Sequence, residues 1–313
     1  MRVVFFGTPD FAVPSLRALL AGHDVAAVVT RPDKPAGRGM ALRRSPVAEA
    51  ADLGGVKVLQ PRGAREPDLL GAIQESGAEA IVVAAYGRIL PREVLEATRG
   101  GGINVHASLL PRWRGASPIA AAILAGDAET GVSIMRMEEG LDTGPVLLQR
   151  RLRVAPDDTT RALTPRLAEL GAEALVHGLG QIEAGTARFR PQPEEGVTYA
   201  PVIGKADGDI SWELPAGEID RRVRAYDPWP GVRLPIGGQT VRVLEGDALP
   251  PWSGDASVRT GDVLAINAQG LEVMAADAPF LVRSVQPPGK RAMAAAEYAR
   301  GRRDLVVAGG AGT

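Results

Sequence analysis

At 313 residues, with 45% hydrophobic and 23% charged residues and a formal net charge of -1, the chain has the composition of a folded globular protein of about two domains. That composition excludes a disordered chain and a broadly basic nucleic-acid-wrapping one. The absence of cysteine, with His23, His106 and His177 far apart, excludes disulfides, thiolate metal sites and a cysteine nucleophile, and no apolar run reaches the roughly 20 residues of a membrane span, so no metal, no membrane contact and a cytoplasmic monomer are expected.

The first half alternates short apolar runs with helical patterns, which is the rhythm of a parallel sheet wrapped by helices. Strands are expected at Arg2 to Phe6, Asp24 to Thr30, Val56 to Gln60, Glu79 to Ala85 and Gly102 to Ala107. Between the first two, Leu16, Leu19 and Leu20 share one helical face and Gly22 closes the helix. Further on, Ser45 and Pro46 read as the N-cap and first position of another helix. The continuous apolar runs Val25 to Val29 and Ile81 to Ala85 suit parallel strands covered on both faces, although an antiparallel α+β arrangement is the alternative.

A long helix is expected from Thr159 to Ala184, and Arg190-Pro191-Gln192-Pro193 then opens a polar linker running to Lys205. The chain is accordingly divided into residues 1–189, a linker 190–205 and a second domain 206–313. That second domain starts with a helix at Gly217 to Tyr226. Short strands follow at Val232 to Ile236, Thr240 to Glu245, Asp262 to Asn267, Leu271 to Ala275 and Phe280 to Val285, with Gly237-Gly238 as a hairpin turn and a last helix at Ala294 to Arg303. Regular short strands point to a small barrel.

The first strand ends Phe6-Gly7-Thr8-Pro9-Asp10, which lacks the later glycines of a dinucleotide fingerprint, so no NAD site is read there. In Ile103-Asn104-Val105-His106 the two polar residues face the same side at the carboxyl end of an internal strand, where open parallel sheets bind ligands. An amide donor and an imidazole side by side suit a developing oxyanion, or else two core residues satisfied by backbone. Asp142 lies in the loop Glu138-Glu139-Gly140-Leu141-Asp142-Thr143-Gly144. A carboxylate there would orient His106 and favour its charged form, although acidic Gly-rich loops are also ordinary solvated turns.

Asn104 and His106, the following Ser108-Leu109-Leu110-Pro111, and Leu141-Asp142-Thr143-Gly144 resemble, in order and spacing, the signature of the folate-dependent formyltransferase family. Gly7 to Phe11, Arg31 to Gly39 and Pro111 to Gly115 are also similar to it, and the resemblance covers almost the whole chain. It implies a Rossmann-like catalytic domain followed by an OB-like barrel, with Asn104, His106 and Asp142 as the catalytic set. It further implies 10-formyltetrahydrofolate as formyl donor, with Ser108, Leu109, Leu110 and Pro111 contacting the folate. Tyr86, Ile89, Leu90, Met137, Gly140 and Leu141 would line the pterin pocket; core packing is an alternative for Ile89, Leu90 and Met137.

The resemblance also implies the α-amine of methionyl initiator tRNA as the acceptor, the alternatives being an amino sugar nucleotide, glycinamide ribonucleotide or water. From Arg31 to Arg65 eight basic residues stand against three acidic ones. Arg38 at the tip of the Pro- and Gly-rich loop, with Lys34, Arg43 and Arg44, is expected to contact tRNA, although a solvated loop and helix face explains the same charges. The second domain is not basic overall, with twelve Lys and Arg against fourteen Asp and Glu from Ala206 to Thr313, although Arg221, Arg222 and Arg224 could form a basic stripe.

Overall fold

A computed structural model describes residues 1–36, 41–300, 302, 304, 305, 307 and 308. These divide into two compact units. The first, Met1–Ile119 with Ala128–Val154 and Leu163–Pro201, is built on a seven-stranded sheet. Its strands are β1 (Arg2–Gly7), β2 (Asp24–Val29), β3 (Val58–Leu59), β4 (Ala80–Ala84), β5 (Gly102–His106), β6 (Glu129–Arg136) and β7 (Val146–Arg153). They lie in the order β7-β6-β5-β4-β1-β2-β3. The run from β5 to β3 is parallel, and β6 and β7 extend it antiparallel.

The apolar composition of β1 and β4 follows from burial on both faces, since Val3, Val4, Phe5 and Phe6 have no exposed surface. On one face Val4, Phe6, Ile81 and Val83 pack with Leu69 and Ile73 of the helix Pro67–Glu75 and Val94 and Leu95 of the helix Arg92–Leu95. Each such side chain contributes on the order of 2 kcal/mol. On the other face the helix Thr160–Glu183 brings Gly171 against Val105 of β5 and Gly178 against Ile134 of β6. The expected N-cap is present: the Ser45 hydroxyl accepts from the Ala48 amide at 3.1 Å at the start of the helix Pro46–Leu53.

The second unit gathers Ala120–Asp127, Ala155–Ala162 and Val202–Thr313. Its strands are β8 (Val232–Ile236), β9 (Gln239–Ala248), β10 (Val263–Asn267), β11 (Gly270–Met274), β12 (Pro279–Gln286) and β13 (Met293–Ala294). They form an antiparallel sheet in the order β8-β9-β12-β11-β10, with β13 also on β12. Gly237 and Gly238 turn the first hairpin at φ +55° and +71°. Among the described residues β8 and β10 do not pair with each other. Asp209 bridges to Arg233 of β8 and Val307 to Val263 of β10, so these two strands carry partners beyond the sheet ladder.

Two expectations are corrected. The stretch 190–205 is not a plain linker, because its first twelve residues belong to the first unit: Arg190 exchanges backbone hydrogen bonds with Val146, and Tyr199–Ala200 pairs in parallel with Arg114–Gly115. The last helix is shorter than its pattern, Ala295–Ala299. Arg302 turns back instead and donates to Gln239 and to the Gly237 carbonyl.

Candidate active site

Alternation along β5 puts Asn104 and His106 on one face, 8% and 5% exposed, opposite Met135 and Ser133 of β6. Buried this deeply, both need partners. The Nε2 of His106 lies 2.8 Å from the Trp113 carbonyl, and its Nδ1 lies 3.6 Å from Asp142 Oδ2. A carbonyl only accepts, so Nε2 carries a hydrogen and donates it. Asn104 Nδ2 donates to Asp142 Oδ1 at 3.5 Å, and Asp142 Oδ2 accepts from the Gly115 amide at 2.8 Å. The carboxylate thus faces three nitrogens. The triplet read from the sequence comes together at one point.

Strained backbone holds it there. Trp113 and Asp142 sit at φ +62° and +50°, and Ala85 at the exit of β4 sits at φ +47°. Such conformations cost on the order of 1–3 kcal/mol each and persist where the surroundings over-determine them. Here a segment far along the chain does so: Trp113 N donates to Thr198 Oγ1 at 2.9 Å, and Arg114 N to the Thr198 carbonyl at 2.9 Å. Gly115, at φ +119°, is required because a Cβ there would stand 2.5 Å from the Ala200 carbonyl.

Beside the loop that carries Asp142, a cavity of about 780 Å³ is lined by Leu95, Thr98, Gly102, Arg136, Met137, Glu139 and Gly140 among others, a size suited to a drug-sized ligand. Met137 and Gly140 are among the residues that the sequence suggested for a pterin pocket; Leu95, Thr98 and Arg136 are not. Of the remaining pocket residues read from the sequence, Leu90 is buried in the core and Leu141 is half exposed, while Ile89 projects into solvent at 81% exposure. Tyr86 packs edge-on against Phe6, centroids 5.2 Å apart, and its burial pushes the phenol pKa up. Ser108 is fully buried and its hydroxyl donates to the Arg112 carbonyl at 2.6 Å, bracing the turn through Leu109, Leu110 and Pro111.

The family models for formyl transferase and for the formyl transferase C-terminal domain match residues 1–179 and 202–303. The chain belongs to the formyl transferase family. It is 48% identical to the methionyl-tRNA formyltransferase of Xanthomonas euvesicatoria pv. vesicatoria over 312 residues, covering 97% of this chain and 99% of that one. It is likewise 48% identical to that of Symbiobacterium thermophilum over 303 residues, covering 96% and 92%. A solved N-formyltransferase from Helicobacter canadensis, in complex with folinic acid and dTDP-3-aminofucose, shares the fold with a TM-score of 0.66 at 18% identity, covering 90% of this chain and 98% of that one.

In this formyl transferase Lys34–Ala36 and Ala41–Arg43 pair antiparallel, with Lys34 opposite Arg43. Arg38 lies outside the described residues. Arg43 is exposed, whereas the Arg44 guanidinium is 2.7 Å from Asp52 and 3.9 Å from Asp33 and so is already partnered. The stripe on the helix Ala216–Ala225 is partnered too: Arg222 and Arg224 pair with Glu218 and Asp220, each at 2.7 Å, and Arg221 donates to the Leu124 carbonyl at 3.0 Å.

Proposed function

We propose that this chain transfers the formyl group of 10-formyltetrahydrofolate to the α-amine of methionyl initiator tRNA, giving N-formylmethionyl-tRNA in the cytoplasm. The observation that carries this reading is the meeting of Asn104, His106 and Asp142 beside a ligand-sized cavity, in a family member that aligns almost end to end with methionyl-tRNA formyltransferases. The neutral amine attacks the formyl carbon and the carbonyl oxygen becomes an oxyanion; as the carbonyl re-forms, the bond from carbon to the folate nitrogen breaks, the attacking nitrogen giving up one proton and the folate nitrogen taking one up. The Asn104 amide has a second N–H beyond the one aimed at Asp142, and it serves as one donor to the oxyanion. The second donor is His106 Nε2–H, which rests on the Trp113 carbonyl; an oxyanion is the stronger acceptor and competes for that hydrogen. Asp142 holds the ring in place from the other side. Loss of one such donor costs about 10²- to 10³-fold in turnover. Arg43 and Arg38, with Lys34, are the proposed contacts to tRNA, and Met137, Gly140 and Leu141 with the Ser108–Pro111 turn the proposed surroundings of the folate.

The test is transfer of a radiolabelled formyl group to methionyl initiator tRNA, an amino sugar nucleotide, glycinamide ribonucleotide and water in parallel. Label in the tRNA fraction is expected. Label in another amine, or release as formate alone, overturns the reading.

A further inference from the structure

We propose that Gln192 is a positioning residue for this reaction, its side-chain amide tying the Trp113–Gly115 turn to the Asp142 loop and thereby setting how the carboxylate meets His106. The inference rests on the formyl-transfer reading above and extends it to a residue in the stretch where the sequence suggested only a linker.

The geometry leaves one chemical assignment. On one side Arg114 offers Nε and Nη2, at 3.0 and 2.8 Å, and these can only donate, so the Gln192 oxygen faces them. On the other side stand the carbonyls of Asp142 and Gly144, at 2.7 and 2.8 Å, which can only accept, so the Gln192 nitrogen faces those. Both amide hydrogens and both oxygen lone pairs are therefore used. A glutamate would lack the two donors, and a lysine would lack the acceptor.

What the amide joins is the environment of His106. The turn on its Arg114 side carries the Trp113 carbonyl that accepts from His106 Nε2, and the loop on its other side carries the carboxylate facing Nδ1. Trp113 and Asp142 both sit in the left-handed region, so neither segment keeps its shape by local preference. The Asp142 side chain itself bonds Gly115, but the Gln192 bonds go to backbone carbonyls and so fix the loop independently of that carboxylate. Gln192 is anchored in turn, two residues after Arg190, which exchanges hydrogen bonds of 2.9 and 2.8 Å with Val146. A displacement of about 1 Å in a catalytic constellation can cost on the order of 10²-fold in rate.

The experiment measures kcat and KM for 10-formyltetrahydrofolate and for methionyl initiator tRNA, together with Tm, in the wild type, Gln192→Ala, Gln192→Glu, Asp142→Gly and the double variant Gln192→Ala with Asp142→Gly. Asp142→Gly deletes the carboxylate while suiting the left-handed backbone. In Gln192→Ala kcat is expected to fall about 10- to 100-fold with both KM values within about threefold. Gln192→Glu is expected to lose as much, although it keeps the Arg114 contact as an ion pair and stays folded. In the Asp142→Gly background, Gln192→Ala should cost less than about threefold more, because the group it places is gone. Unchanged kcat in Gln192→Ala, full activity in Gln192→Glu, or losses that multiply in the double variant would overturn the proposal. Failure of the wild type to formylate the tRNA would overturn the functional reading and this inference with it.

Discussion

Replacing Asp142 by asparagine isolates what the carboxylate does, because asparagine tolerates the left-handed backbone that Asp142 adopts at φ +50°. Three nitrogens face its two oxygens: the Gly115 amide at 2.8 Å, Asn104 Nδ2 at 3.5 Å and His106 Nδ1 at 3.6 Å. An amide has one oxygen, so at least one of these nitrogens meets an NH₂ group instead. Leaving one buried donor unsatisfied costs about 1–3 kcal/mol. If that loss falls on the transition state, kcat drops about 10- to 100-fold. The cavity proposed for the folate is lined by Met137 to Gly140 rather than by Asp142, so KM for the formyl donor should stay within about threefold. The assay is single-turnover transfer of labelled formyl to methionyl initiator tRNA, with KM from steady-state rates. A kcat equal to that of the wild type in a variant of equal Tm would refute the assignment of Asp142 to the catalytic set.

Arg43→Ala should lower kcat/KM for the tRNA and reduce the slope of log affinity against log salt by about one, as loss of a phosphate contact does; Arg44→Ala, whose charge is spent on Asp52 and Asp33, should change neither, and a reversed pattern counts against the assignment. Gly115→Ala should lower stability by about 2 kcal/mol or more, since φ +119° and the Ala200 carbonyl 2.5 Å away both oppose a methyl group; an unchanged urea midpoint would show that the turn adapts. The Asp209 carboxyl is held below its usual range by the hydrogen bond from Arg233. A lowered folded-state pKa contributes stability above the ordinary carboxylate range, and that contribution is lost as pH falls through the lowered value. The Tm difference between wild type and Arg233→Ala should therefore narrow below about pH 4. It should not vanish, because Arg233 also donates to the Pro230 and Lys205 carbonyls. A difference independent of pH would remove Asp209 from the pair's contribution.

The order of strands and helices was legible in the sequence because period-2 and period-3.6 patterns, caps and glycine turns are local signals: β1, β2, β4 and β5 and the cap at Ser45 lie where those signals put them. The proposed catalytic triplet was legible as a grouping because Asn104 and His106 are two residues apart on one strand, and Asp142 sits in a loop that resembles the family's signature; their side chains meet in the structure. What escaped was carried by backbone or by distant chain. The Trp113 carbonyl, the Gly115 amide and the left-handed turn around them leave no mark in side-chain chemistry, and Gln192 reaches Arg114 and Asp142 from 78 and 50 residues away. Pro and Gln in a polar stretch read as a linker because nothing local shows what they bond. Another signal was local: Glu218 with Arg222 and Asp220 with Arg224 are spaced i, i+4, so two of the three arginines of the stripe on that helix have acidic partners in the sequence itself.

The proposed movement of a formyl group from the folate to charged initiator tRNA by Asn104, His106 and Asp142 is tested by the single-turnover rate of N-formylmethionyl-tRNA formation by the wild type and His106→Ala, each saturated with 10-formyltetrahydrofolate. Product is expected from the wild type, and a rate lower by about 10²-fold or more in the variant with folate affinity little changed. Equal rates in the two proteins, or a wild type that leaves methionyl initiator tRNA unformylated while modifying a different amine, would contradict it.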